Sequence, residues 1–119
     1  MKTIFVDIDG TLIRHWGDLT QQMRNPPEVL PGAVEQVNDW NRKGYCIVLV
    51  TGRKESMREL TKTQLESVGL FYDQLVMGLP RGPRVLINDS KPGLDETASA
   101  VTVGRNVGLR GVTFDDETK

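Results

Sequence analysis

The unbroken apolar run Cys46-Ile47-Val48-Leu49-Val50, followed at once by Thr51-Gly52-Arg53, constrains this chain more than any other feature. A strand with one wet face alternates apolar and polar residues. A continuous run that ends in a turn is the pattern of a strand buried on both faces, as in a parallel sheet. Parallel neighbours need long connections, usually helical, and the flanking sequence supplies them. Pro31-Gly32 opens a helix in which Ala33, Val34, Val37 and Trp40 recur at helical spacing, with Gly44 as its stop. A second helix is predicted from about Ser56 to Val68, with Met57, Leu60, Thr61, Leu65 and Val68 inward and Gly69 ending it.

The remaining strands are shorter. Thr3-Ile4-Phe5-Val6-Asp7-Ile8 is a β-rich run ending in acidic residues. Residues 74–77 and 84–88 read as third and fourth strands, and 100–103 as a fifth. The segment from Leu12 to Pro31 is polar and irregular. The order βαβαββ predicts an α/β fold, a three-layer Rossmann-like parallel sheet.

Composition narrows the setting. The chain has 119 residues, which suits one domain over 1–114 with a flexible tail at 115–119. A net charge of −1 gives no whole-chain signal for a polyanion or a membrane surface. The one cysteine, Cys46, permits neither an internal disulfide framework nor a cysteine zinc site. No apolar leader and no run near ~20 apolar residues is present, so the expectation is a cytoplasmic protein without a membrane partner.

In open α/β sheets, ligands bind outside the carboxyl ends of the strands. Three predicted strand ends carry polar chemistry: Asp7/Asp9, Thr51/Arg53 and Asp89/Lys91. Two carboxylates two residues apart can hold a hard cation such as Mg²⁺. One can attack phosphorus, and the other can move the proton of the leaving oxygen. Gly10 permits the tight turn. The third acidic position and the terminal glutamate of a calcium-binding EF-hand loop are missing. Thr51, Gly52 and Arg53 offer a hydroxyl, a backbone N–H and a guanidinium to phosphate oxygens. Each element alone also reads as an ordinary turn; the ordered set is what points to phosphate chemistry.

The run Ile4-Phe5-Val6-Asp7-Ile8-Asp9-Gly10-Thr11-Leu12 resembles the first motif of the haloacid dehalogenase (HAD) superfamily. Val50-Thr51-Gly52-Arg53 resembles its second motif and Val85-Leu86-Ile87-Asn88-Asp89 its fourth. The resemblance implies a HAD-type phosphatase. Asp7 would be nucleophile and metal ligand, and Asp9 general acid/base with its backbone carbonyl on the metal. Thr51 would hold a phosphoryl oxygen, and Asp89 would complete the Mg²⁺ site. The usual third-motif lysine is absent between Lys62 and Arg84, which leaves Arg81, Arg84 or, out of order, Lys91 as the catalytic cation. Asn88 precedes Asp89 where two acids are common, and Asp95 is a further candidate ligand.

Too few residues separate Asp9 from Thr51, or Thr51 from Asp89, for a cap domain. The expected site is open, covered at most by a flap from His15 to Pro27. Open sites suit a large substrate or an oligomer that supplies the cover. The stretch from Gly44 to Ser56 is similar to the phosphatase domain of bacteriophage polynucleotide kinases. The expected substrate is a phosphorylated small molecule, a sugar phosphate or nucleotide. A nucleic-acid 3′ end and a catalytically weak binding module are the alternatives.

Overall fold

The apolar run folds into the central strand of a parallel sheet. In a computed structural model, which describes residues 1–94 and 96–114, the elements are β1 (Thr3–Asp7), α1 (Leu19–Arg24), α2 (Ala33–Arg42), β2 (Cys46–Val50), α3 (Arg58–Ser67) and β3 (Gln74–Val76). A 3₁₀ turn at Glu55–Met57 leads into α3. The order is β1-β2-β3, all parallel, with Val6 opposite Leu49 and Leu49 opposite Leu75. Ile47, Val48 and Leu49 are all buried because β2 has a neighbour on each edge and side chains over both faces.

Two successive crossovers that step the same way across a sheet, both right-handed, carry their helices to the same face. The core accordingly gathers Val6, Ile47 and Leu49 with Ala33, Val37 and Trp40 of α2 and Leu65 of α3. These are the residues that the helical spacing points inward. On the opposite face Val48 is buried but Phe5 is 54% exposed. The α/β class and the HAD-type parallel sheet are as expected, and the described connections between strands hold α1, α2 and α3 but no inserted cap domain.

The fourth and fifth strands differ from expectation. Residues 84–88 carry the right apolar sequence but form no strand, and Val85 and Ile87 are 83% and 89% exposed. The physical reason lies in the connection. Only residues 77–83 follow β3 before this segment, fewer than the roughly dozen a parallel crossover needs. They include Gly78, Pro80, Gly82 and Pro83, which favour turns over a helix. Residues 100–103 are likewise irregular, with Val101 exposed.

The carboxyl-terminal part packs back instead. Leu109 is buried in the core, its N–H donates to the Pro31 carbonyl at 2.8 Å, and Gln36 Nε2 donates to the carbonyls of Leu109 and Val112. Phe114 meets Trp40 with ring centroids 5.9 Å apart. The approach is close enough to require glycine at 108, where a Cβ would lie 2.3 Å from the Pro31 oxygen and φ is +99°. Asp95, the further candidate ligand, and residues 115–119, the expected flexible tail, lie outside the described residues. No described helix is long and apolar enough to cross a membrane.

Candidate active site

The carboxyl ends of the strands open into a cleft of about 350 Å³. Asp7 and Asp9 enter it from the end of β1, and Thr51, Gly52 and Arg53 from the end of β2. Arg81 and Arg84 come from the loop after β3, and Arg105 from the carboxyl-terminal segment. His15, Asp18 and Gln22 close the remaining side.

Asp7 is the titrating group of interest. Partial burial in the cleft raises its carboxyl above the ordinary range, and the neighbouring charge of Asp9 adds to the rise. The Thr11 hydroxyl at 3.3 Å, a backbone hydrogen bond from Ile8 and the charge of Arg84 oppose it. Water still reaches Asp7 at the mouth of the cleft, which limits the shift.

Asp9 is held differently. Arg53 Nε donates to its Oδ2 at 2.9 Å, and Arg53 Nη2 to its Oδ1 at 2.8 Å, a bidentate pair. Gln22 Nε2 adds a third donor to Oδ1 at 2.7 Å. Arg53 is 1% exposed, and its Nη1 donates inward to Thr61 Oγ1 at 2.9 Å and Gln64 Oε1 at 2.7 Å. Gln64 Nε2 in turn donates to the Gln22 carbonyl at 3.2 Å. Asp9, Arg53, Gln64 and Gln22 thus form a closed polar ring that ties α1 to α3 through the second acid.

Thr51 is buried, and its hydroxyl oxygen accepts from the Arg53 N–H at 3.1 Å, so its own proton is free to face the cleft. Gly52 is exposed beside it, and a Cβ there would sit 3.1 Å from the Leu79 carbonyl.

The structure therefore brings together Asp7, Asp9, Thr51, Gly52 and Arg53. The Arg53 guanidinium, expected on substrate, is directed to Asp9, Thr61 and Gln64. Asp89 and Lys91 do not line the cleft. They are exposed and pair with each other, Lys91 Nζ to Asp89 Oδ1 at 2.7 Å. Their displacement follows from the missing fourth strand, which would have carried them. Of the three candidate cations, Arg81 and Arg84 line the cleft.

Sequence reading missed Gln22, Gln64, Arg105 and the helix α1. A signal existed for α1: Asp18 followed three residues later by Gln21 has the spacing of a capping box, and the Asp18 side chain accepts from the Gln21 N–H at 2.9 Å. Gln64 lies between Thr61 and Leu65 on the inward stripe of α3. Nothing local marks Arg105, which reaches the cleft only through long-range packing.

Comparison with known proteins agrees with this architecture. The model of the family described as PITM 1-3, LNS2 domain matches residues 4–82. No curated protein matches the chain. Among solved structures, the Pnkp1/Rnl/Hen1 complex is similar with a TM-score of 0.56 and 26% identity, over 64% of this chain and 27% of that one. Another structure of that assembly, called an RNA repair complex, gives 0.54 and 24%, over 64% and 25%. A crystal structure of a Vibrio cholerae protein gives 0.53 and 24%, over 75% and 80%. The chain spans about a quarter of the Pnkp1/Rnl/Hen1 chains it matches. Its profile matched from the first strand through the loop after the third, the chain belongs to the LNS2 domain family, on a HAD-type parallel α/β fold.

Proposed function

We propose that the chain is a Mg²⁺-dependent phosphomonoesterase with Asp7 as nucleophile. The observation that carries this reading is the convergence of Asp7, Asp9, Thr51 and Arg84 on one cleft at the carboxyl ends of parallel strands. An Asp7 oxygen attacks phosphorus, the bond to the leaving oxygen breaks, and that oxygen takes up a proton. Water then attacks the aspartyl phosphate, the bond between phosphorus and Asp7 breaks, and phosphate leaves. The Thr51 hydroxyl and the Gly52 N–H bind the phosphoryl oxygens, and Arg84 offsets charge beside Asp7. Asp9 handles the proton through Oδ2, which accepts only from Arg53 Nε and keeps a lone pair, while Arg53 Nη2 and Gln22 hold Oδ1 in place.

The donor set fits Mg²⁺, which commonly takes one or two carboxylates, substrate phosphate and water. Asp7 offers a lightly engaged carboxylate. The Asp9 carboxylate is turned toward Arg53 and Gln22, so its backbone carbonyl is the group it would offer the metal. No three His, Cys, Asp or Glu side chains form a ready cage among the described residues, so Asp89 joins the set only if residues 84–89 move. Bound Mg²⁺ would offset the charge that develops on the phosphoryl oxygens.

The substrate is a phosphorylated small molecule. A 3′-phosphorylated nucleic-acid end is the second reading, favoured by the 26% identical likeness to the Pnkp1/Rnl/Hen1 complex. Hydrolysis of an aryl phosphate with and without Mg²⁺ tests the first step. Asp7→Asn should lose at least about a thousandfold in kcat, as nucleophile loss does. Equal activity in both proteins would remove Asp7 from the reaction.

A further inference from the structure

Four arginines line the cleft: Arg53, Arg81, Arg84 and Arg105. Their partners divide them. Arg53 is neutralised by Asp9. Arg84 bonds the carbonyls of its own loop, at Pro80 and Gly82, and sets its charge against Asp7. Arg81 and Arg105 make no hydrogen bond or ion pair among the described residues. The third carboxylate of the cleft, Asp18, is engaged as the cap of α1.

The position of Arg105 is built rather than incidental. Its neighbour Asn106 adopts φ +63°, a conformation Asn tolerates better than most residues. The Asn106 N–H donates to the Gly10 carbonyl at 2.8 Å. Its side chain accepts from the His15 N–H at 2.7 Å and donates to the His15 carbonyl at 3.2 Å. This clamp presses the Arg105 stem against the first-motif turn, where a Cβ on Gly10 would lie 3.3 Å from Arg105 Cγ. Arg81 approaches from the β3 side of the same cleft. A cleft of about 350 Å³ is in the range of small-molecule sites, roomier than the transferred phosphoryl group alone requires.

We propose that Arg105, with Arg81, forms a binding site for a second phosphate of the substrate. The cleft then selects a phosphomonoester that carries another phosphate nearby, from either a small bisphosphate or the backbone next to a nucleic-acid 3′ end. This rests on the phosphatase reading for the place of the first phosphate. The two phosphates are held by different groups: Thr51, Gly52 and Arg84 at the reacting one, Arg81 and Arg105 at the other. Charge-assisted contacts to a phosphate are strong enough to dominate the preference.

Binding measured calorimetrically in EDTA, where the metal is withheld, separates this inference from catalysis. Adenosine 3′,5′-bisphosphate should bind about tenfold tighter than adenosine 3′-monophosphate, a gap that shrinks with added salt. Arg105→Ala should narrow it to about twofold or less, and Arg105→Lys should restore part of it. Equal affinity for the two ligands in the wild type would overturn the proposal, and so would a gap that survives in both Arg105→Ala and Arg81→Ala. A 3′-phosphorylated oligonucleotide that binds tighter still assigns the second phosphate to a nucleic-acid backbone. One that binds no better than the bisphosphate assigns it to a small molecule. If the gap is present while Asp7→Asn keeps full turnover, the phosphatase mechanism fails and the two-phosphate site stands.

Discussion

Asp7 and Arg53 show how individual residues trade stability against chemistry. The native Asp7 carboxyl holds its proton more tightly than it does in the unfolded chain. The folded state therefore binds more protons between the two pKa values, and stability falls as pH rises through that interval. Asparagine carries no such charge. In EDTA, the melting temperature of Asp7→Asn relative to wild type should be higher at pH 7 than at pH 3. An equal difference at both would show that ionised Asp7 carries no cost. Arg53 makes the opposite case. With its side chain 1% exposed and Asp9 at 13%, the pair is nearly dry. Arg53→Ala strands Asp9 without its bidentate partner and Thr61 and Gln64 without their donor, at a cost of about 3–5 kcal/mol. Urea denaturation should show that loss, and the double variant with Asp9→Asn should recover part of it. A loss below about 1 kcal/mol would mean the ring is not structural.

Among the elements, α1 depends most on its surroundings. A helix of six residues is too short to persist alone. It is held by the Asp18 cap and by Gln22, whose side chain bonds Asp9 and the Arg14 carbonyl and accepts from the Trp16 N–H. Asp18→Ala should cost about 1 kcal/mol, felt locally. Trypsin should then cut after Arg24 well before the core opens, and an unchanged cleavage rate would argue that Gln22 alone fixes the flap. The carboxyl-terminal segment offers a sharper contrast. Gly108→Ala meets both a left-handed backbone and the Pro31 oxygen, whereas Gly111→Ala, at φ +78°, meets nothing within 4 Å. The first should cost more than about 2 kcal/mol and the second about 1 kcal/mol. The same first substitution should also weaken bisphosphate binding, because it dislodges the segment that carries Arg105.

At the scale of the molecule, the described residues form a three-stranded sheet with one well-covered face and a long exposed segment. No described strand pairs with the far edge of β1. Hydrogen exchange should be slow at 46–50 and fast at 84–89, since backbone amides outside a ladder exchange with little protection. Protection appearing at 84–89 on addition of Mg²⁺ and phosphate would show that this segment joins the sheet when the cation arrives, bringing Asp89 with it. Unchanged exchange would leave Asp7 as the sole carboxylate on the metal.

Local patterns were enough to read the buried strand at 46–50, both long helices, their inward residues and the first two site motifs. A 2- or 3.6-residue period and a strand end are properties of neighbouring residues, so the sequence by itself determined the parallel α/β class and the meeting of Asp7 with Thr51. Residues 84–88 have a strand's composition, yet their fate depends on whether the preceding turn-rich loop can span the sheet, which no property of the run itself reveals. The inward turn of Arg53 and the arrival of Arg105 beside Gly10 depend on partners distant in sequence. Tertiary structure alone decided those, because a guanidinium goes where packing leaves a carboxylate or an open cleft to receive it.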